Sequence, residues 1–121
     1  MTVAFKELYT ELGFIEDWNE PVFGDLQKYG TMTNFDQTEF VAVNSTKIDG
    51  EPWTFEETHW NKEGLIFTPN ACLEKMCHVH FSFHGCEGSP GSYSDYAMLN
   101  PIAAANDVIV VYPGSLCWDM D

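Results

Sequence analysis

Basic side chains are scarce in this chain. Lysine and arginine together number 5 against 19 aspartates and glutamates, which gives a formal net charge of −14 at pH 7. So acidic a surface repels phosphate backbones and anionic lipid headgroups. The composition therefore disfavours a nucleic-acid partner and a membrane partner. Acidity of this kind is more typical of a solvated, self-repelling surface than of an acidic functional site.

Long apolar segments are also missing. No apolar run approaches the roughly 20 residues that a membrane-spanning helix needs. The first residues, Met1 to Glu7, have neither the basic start nor the apolar centre of a secretory signal peptide. The beginning of the sequence therefore gives no indication of secretion.

Cys-x-x-Cys pairs, which are common in structural zinc sites, are absent as well. The chain contains four cysteines, all in its C-terminal part: Cys72, Cys77, Cys86 and Cys117. An even count is compatible with two disulfides, for which three connectivities exist. Disulfides indicate an oxidising, extracellular compartment. We interpret the chain as an interior or C-terminal piece of a longer secreted precursor.

The chain is long enough for one small folded domain, because 45% of its 121 residues are hydrophobic and 15% are aromatic. The patterns predict a helix over 2–12 before Gly13, an irregular segment over 14–33 and a connecting segment over 47–63. Strands are predicted over 38–43, 64–68, 77–84 and 107–112. Residues 92–105 have helical spacing, but Pro101 interrupts them, so Asn100 and Pro101 are predicted to begin a second short helix. The fold class is α/β, with a parallel sheet covered on both faces.

His84-Gly85-Cys86 ends the third predicted strand and is the strongest candidate for chemistry. A glycine loop at the carboxyl end of a parallel strand can aim backbone N–H groups at one point. In α/β-hydrolases the loop after such a strand supplies a donor to the oxyanion hole. The alternative is a plain strand end with a structural disulfide, and the tripeptide alone favours that alternative.

The histidines allow a metal site as a rival interpretation. In an extended strand His78, His80 and His84 fall on one face, and two histidines at i and i+2 can hold zinc. A covered, apolar strand leaves little room for an open metal, so structural histidines are favoured and no metal is predicted.

No serine in the sequence lies in a motif typical of a catalytic nucleophile. Ester hydrolysis of this kind needs a serine on a sharp strand-to-helix elbow, within reach of a histidine held by an acid. The elbow motif Gly-x-Ser-x-Gly does not occur, and the segment from Gly88 to Ser92 has the wrong spacing.

An ordered series of motifs over residues 35–119 resembles the polyhydroxybutyrate (PHB) depolymerase family of extracellular esterases. The series comprises the stretches 35–40, 64–72, 77–86, 107–113 and 117–119, together with Tyr96, Asn100, Ala104 and Asn106. The resemblance implies a partial α/β-hydrolase fold with mainly parallel strands and covering helices, formed by residues 35–121 as a fragment. Residues 1–34 form an unassigned lead-in.

The same resemblance implies the roles of individual residues. Cys86 would give its backbone N–H to the oxyanion hole, Trp118 and His84 would contact substrate, and the disulfides would join Cys72 to Cys77 and Cys86 to Cys117. The substrate would be an ester or polyester, hydrolysed outside the cell without a cofactor. In the family's arrangement the catalytic triad comes earlier in the chain, so the partner of this segment is the remainder of the hydrolase chain. The segment alone is expected to be inactive.

A non-catalytic alternative stays open. A degenerate hydrolase domain could bind a ligand or partner through exposed aromatic side chains, for which the candidates are Trp18, Trp53, Trp60 and Trp118.

Overall fold

A computed structural model describes residues 2–39, 46–85, 89–91 and 99–116, and within these residues a four-stranded sheet and two helices have defined bounds. The helices are α1 (Thr2–Glu11) and α2 (Leu99–Asn106). The strands are β1 (Gly30–Asp36), β2 (Glu63–Pro69), β3 (His78–Phe81) and β4 (Val108–Tyr112). Short 3-10 turns cover Leu26–Lys28, Glu56–Thr58 and Asn70–Leu73.

The sheet is mixed, with the strand order β1-β2-β4-β3. β1 pairs antiparallel with β2, and β2 pairs antiparallel with β4. β3 and β4 are parallel, and His78 lies opposite Val108. The prediction of a mainly parallel sheet is therefore wrong for β1 and β2, while the strand, helix, strand crossover from β3 to β4 is parallel as expected. A long connection joins β1 to β2, so no short hairpin turn in the sequence indicated that these two strands pair antiparallel.

Most predicted elements lie close to observed ones. The helix over 2–12 is confirmed, and Gly13 follows it with φ at 71°, a conformation that glycine adopts at no steric cost. The strands at 64–68 and 107–112 are confirmed, and the strand at 77–84 is shorter than predicted. The second short helix is present but begins at Leu99, so Asn100 lies inside it and not at its N-cap.

The first strand was misplaced. Residues 38 and 39 of the predicted strand form a turn, and its residues 40–43 lie outside the described ones. The observed β1 instead lies partly in the segment predicted to be irregular. β1 is an edge strand with mostly exposed side chains, so it has no apolar alternation that a sequence pattern could reveal. β1 also runs across residue 34, and the division of the chain at residues 34 and 35 stays a prediction.

One face of the sheet carries the core and both helices, and we call it the helix face. Its buried apolar side chains come from α1, α2, β2 and β4 and from Ile15; they are Tyr9, Ile15, Phe67, Leu99, Ile102, Ala103, Val108, Val110 and Tyr112. Alternate residues of β4 point to this face because strand side chains alternate. The prediction that helices cover both faces is not met in the described part of the chain.

The N-terminal residues are part of this core. The Tyr9 hydroxyl lies 2.7 Å from Nδ1 of His80, and the ring of Phe14 stacks on His78 with centroids 4.3 Å apart. The Asn106 side chain accepts a hydrogen bond from the Asn19 N–H and donates one to the Asn19 carbonyl, each at 2.8 Å. Burial lowers the pKa of His80 and raises the pKa of Tyr9. Both groups are therefore neutral at pH 7.

The cysteine pairing implied by the resemblance is confirmed for one bond. Cys72 and Cys77 form a disulfide across the turn that leads into β3, with their Cα atoms 5.7 Å apart. Cys86 and Cys117 lie outside the described residues. Among the described residues, neither helix has the length and apolar character needed to cross a membrane.

Candidate functional site

The candidate site lies at the edge of the sheet where the parallel strands β3 and β4 both end. Two loops leave this edge: residues 82–85 follow β3 and residues 113–116 follow β4. The N–H of Ser82 donates to the carbonyl of Val111 at 2.8 Å, so the ladder continues one step past β3. Both loops thus leave the sheet at the position where α/β folds place ligands.

His84 joins these two loops. Its Nε2 atom lies 3.0 Å from the backbone nitrogen of Ser115, and its Nδ1 atom lies 2.7 Å from the carbonyl oxygen of Gly85. An N–H group donates only to an unprotonated ring nitrogen, so Nε2 is the acceptor and Nδ1 carries the proton. The half-buried ring is therefore held as the neutral Nδ1–H tautomer, with both nitrogens bonded to the backbone.

The side chain of Gln37 holds the loop that follows β4, residues 113–116. This buried side chain follows β1; its Nε2 donates to the carbonyls of Asn61 (2.7 Å) and Gly114 (2.9 Å), and its Oε1 accepts from the Gly114 N–H at 2.9 Å. One amide side chain thus satisfies both backbone groups of Gly114. Sequence reasoning missed this role; the only signal was that Gln37 lies within the first stretch of the family-like series.

Gly114 is confined by its neighbours. A Cβ atom at this position would collide with the carbonyl oxygen of Glu63 and lie 3.0 Å from the Cβ of Asn61. The Asn61 N–H also donates to the Gly114 carbonyl at 3.0 Å, and the Leu116 N–H donates to the carbonyl of His59 at 2.7 Å. The loop after β4 is therefore fixed along its described length, which gives the His84 contact a rigid partner.

The other predicted site residues lie outside the described part of the chain. Cys86, Cys117 and Trp118 all belong to this group. Apart from Gly85 itself and its two neighbours in the chain, no atom of the described residues lies within 4 Å of the position that a Cβ would take at Gly85, which immediately precedes Cys86. The roles assigned to Cys86 and Trp118 consequently remain predictions.

The histidines do not form the metal site considered as a rival interpretation. His78 stacks on Phe14 and His80 contacts Tyr9, both on the helix face, whereas His84 lies beyond the end of β3 between the two loops. The described residues contain no group of three or more histidine, cysteine or acidic side chains placed to bind a metal ion.

A groove of about 440 Å³ adjoins the site on the sheet face opposite the helices. Its apolar lining comes from β1, β2, β3, β4 and the adjoining loops, and comprises Phe35, Trp60, Ile66, Phe81, Phe83, Val111 and Pro113. The rings of Trp60 and Phe83 lie 6.3 Å apart. Phe83 immediately precedes His84, so the groove and the two loops form one continuous surface.

The remaining tryptophans predicted to be exposed are half-buried. The Trp18 ring packs against the core and donates from Nε1 to Glu20 at 3.3 Å, and Nζ of Lys47 lies 5.6 Å from the ring centroid of Trp53. Trp60, also half-buried, is the one of these three that lines the apolar groove.

Comparison with known proteins identifies the fold. No family model matches the chain, and no curated protein matches it. Two solved structures are similar. A serine-to-alanine variant of a PHB depolymerase complexed with an R3HB trimer has 20% sequence identity and a TM-score of 0.62, over 83% of this chain and 28% of that chain. The PHB depolymerase from Penicillium funiculosum has 23% identity and a TM-score of 0.58, over 82% and 28%.

These similarities support a PHB depolymerase-like fold for the chain. They match the mixed sheet and the two helices to a fragment of a hydrolase-like fold. The chain spans 28% of the length of each of these depolymerases.

Proposed function

We propose that the chain is the oxyanion-hole and groove-wall segment of a secreted serine esterase that hydrolyses polyhydroxyalkanoates or related carboxylic esters. The observation that carries this proposal is the loop that begins at the end of β3 and contains His84 and Gly85. It leaves the carboxyl end of a parallel strand, and His84 ties it to the loop after β4, in a fold similar to that of PHB depolymerases.

The chemistry assigned to this segment is electrostatic. The backbone N–H of Cys86 would donate to the oxyanion that forms when a serine attacks the ester carbonyl, and it would stabilise the charge of the tetrahedral intermediate. The remainder of the hydrolase chain would supply the serine, histidine and aspartate. Trp118 and the ring face of His84 would border the substrate. A disulfide between Cys86 and Cys117 would link the same two loops that His84 joins.

A chimera tests the oxyanion role directly. In the depolymerase from Penicillium funiculosum, the segment that matches this chain is replaced by the 121 residues, and hydrolysis of a p-nitrophenyl ester is measured. Cys86→Pro removes the backbone N–H together with the proposed disulfide to Cys117, and Cys86→Ala removes the proposed disulfide but keeps the N–H. We expect Cys86→Pro to lower kcat about 10²–10³-fold relative to Cys86→Ala, as for loss of one oxyanion donor. Equal kcat values for two folded variants would contradict the proposal.

The isolated chain supplies a second test. Without the serine portion we expect no turnover of a short p-nitrophenyl ester by the purified 121 residues. Turnover that a serine-directed inhibitor abolishes would show that a nucleophile lies within the chain, and the proposal would then be wrong.

The apolar groove favours a second function, that of a binding module without catalysis. Trp60 and Phe83 present adjacent aromatic rings there, as in sites for apolar ligands. If this function holds, the isolated chain binds PHB granules and Trp60→Ala weakens that binding, while Trp53→Ala, outside the groove, has no effect. A full-length transcript with an upstream Gly-x-Ser-x-Gly elbow would favour the esterase instead.

A further inference from the structure

The side chain of Gln37 reaches across the sheet to the loop after β4. Gln37 follows β1, yet its amide bonds to Gly114 beyond β4, although β2 lies between these two strands. A Cβ atom at Gly64 in β2 would lie 2.7 Å from Oε1 of Gln37. The absence of a side chain at Gly64 therefore leaves the space that this buried amide occupies.

The Gly114 carbonyl and the Ser115 N–H belong to one planar peptide unit. The carbonyl accepts hydrogen bonds from Nε2 of Gln37 at 2.9 Å and from the Asn61 N–H at 3.0 Å. The N–H of the same unit donates to Nε2 of His84 at 3.0 Å. Because a peptide plane turns as one body, the donors that hold the carbonyl also set the direction of the N–H toward the ring.

The ring of His84 carries this constraint to a second peptide unit. Its Nδ1 donates to the Gly85 carbonyl at 2.7 Å, and that carbonyl belongs to the unit whose N–H is the N–H of Cys86. In a trans peptide the C=O and the N–H point in opposite directions. A bond that fixes the Gly85 carbonyl therefore limits the rotation of the plane that contains the Cys86 N–H.

The hydrogen bonds along this path all run in one direction. The amide of Gln37 donates to the first peptide unit, that unit donates to His84, and the imidazole donates to the second unit. Hydrogen bonds aligned in this way polarise one another. The last N–H of such a path is therefore a stronger donor than an isolated amide.

We propose that Gln37 is a positioning residue for the oxyanion hole, which orients and polarises the Cys86 N–H through the ring of His84. This proposal rests on the proposed function. Gln37 contacts neither the substrate nor the reacting atoms. Its loss leaves the Cys86 N–H present but less firmly directed, so it should reduce catalysis less than removal of the N–H itself.

The test is a double-mutant cycle in the chimeric Penicillium funiculosum depolymerase. Gln37→Met removes the three hydrogen bonds of the amide and keeps an unbranched, buried side chain. It is combined with Cys86→Ala, which keeps the backbone N–H, and with Cys86→Pro, which removes it. Both kcat and KM for a p-nitrophenyl ester are measured per active site. The sites are counted by titration with a serine-directed reagent, so unfolded protein does not contribute.

In the Cys86→Ala background we expect Gln37→Met to lower kcat about 10-fold with KM unchanged, because the oxyanion forms only after the serine attacks. In the Cys86→Pro background we expect no further loss, because the N–H through which Gln37 acts is gone. Asn34→Leu, at an exposed position of β1, is the matched control and should leave kcat unchanged in both backgrounds.

A second variant and a spectroscopic measurement cover the case in which Gln37→Met folds poorly. Gln37→Glu keeps an acceptor for the Gly114 N–H, but its carboxylate cannot donate to the Gly114 carbonyl, so it should lower kcat in the same background. In the 121-residue chain, ¹⁵N NMR shows which ring nitrogen of His84 carries the proton. The wild type should have the Nδ1–H tautomer, and Gln37→Met should also populate the Nε2–H tautomer.

Three results would overturn the proposal. Equal losses of kcat in the two Cys86 backgrounds would show that Gln37 only supports the fold, and wild-type kcat in both Gln37 variants would show that it has no role. A His84 ring that stays entirely in the Nδ1–H form in Gln37→Met would show that the path is not connected. Equal kcat for Cys86→Pro and Cys86→Ala would instead reject the proposed function, and the tautomer would still decide whether Gln37 positions the ring.

Discussion

The backbone N–H of Ser115 donates a hydrogen bond of 3.0 Å to Nε2 of His84, and this bond connects the loops that follow the two parallel strands. The same ring donates from Nδ1 to the Gly85 carbonyl, one residue before Cys86. A movement of the loop after β4 would therefore pass directly to the backbone proposed to form the oxyanion hole. We infer that the neutral ring of His84 positions this backbone.

His84→Leu should loosen this connection, whereas His84→Gln should preserve part of it. Leucine leaves the Ser115 N–H without its acceptor, and glutamine offers an oxygen near the position of Nε2. We expect the leucine variant to lose about 1 kcal/mol of local stability, which makes amide exchange at Ser115 roughly fivefold faster. Hydrogen exchange measured by NMR on the isolated chain checks this. Equal exchange rates in the wild type and both variants would contradict the role of the ring.

Gln37 should be costly to replace. Gln37→Leu leaves the N–H and C=O of Gly114 and the carbonyl of Asn61 without the partner that the side chain supplies in a buried place. We expect a loss of about 2–4 kcal/mol in the free energy of unfolding, measured with urea. Asn34→Leu on the exposed part of β1 is the control and should change the free energy by less than about 0.5 kcal/mol. A Gln37 variant as stable as this control would show that the loop is held by other contacts.

Acidification below pH 6.5 should destabilise the fold through His80. Burial lowers the pKa of the folded imidazole below its usual 6.5, so the unfolded chain takes up the proton first as the pH falls. The stabilising contribution is present above pH 6.5 and is lost as the pH falls toward the folded pKa. The measurement is Tm between about pH 7.5 and 5.5, above the range where carboxylates titrate.

His80→Gln serves as the control for that titration. The glutamine variant should have a lower Tm at pH 7.5 because the contact with Tyr9 changes, but its Tm should depend less on pH over the same interval. If the wild type and His80→Gln lose Tm in parallel, another group is responsible for the pH dependence.

The sequence predicted the parts of the fold that have strong local signals. Continuous apolar runs identified β2 and β4, and the helix over 2–12 was recognised from its spacing and from Gly13. β1 was missed because an edge strand is defined by its pairing with β2 and not by its own apolar pattern. The sheet direction depends on the path of the long connection between β1 and β2, which has no short-range signature.

The candidate site was likewise predicted only where its residues have a local signal in the sequence. His84 was found because it lies next to a glycine at the end of an apolar strand. Gln37 and Ser115 were not found, because they meet the site through contacts that span 77 and 31 residues of sequence. The Ser115 N–H and the Gln37 amide contribute because the fold brings them to the site. Their residue types are common and do not indicate where they lie in the structure.

The disulfide pairing gives the last prediction, because it links the confirmed part of the chain to the proposed part. A non-reduced digest should contain one linked peptide that joins Cys72 to Cys77, as the structure has it, and a second that joins Cys86 to Cys117. Replacing Cys72 and Cys77 together by serine should cost about 2 kcal/mol, because the loop they close is short. Peptides that join Cys72 or Cys77 to Cys86 would refute the proposed pairing, and with it the bond suggested to fix the oxyanion loop beside Ser115.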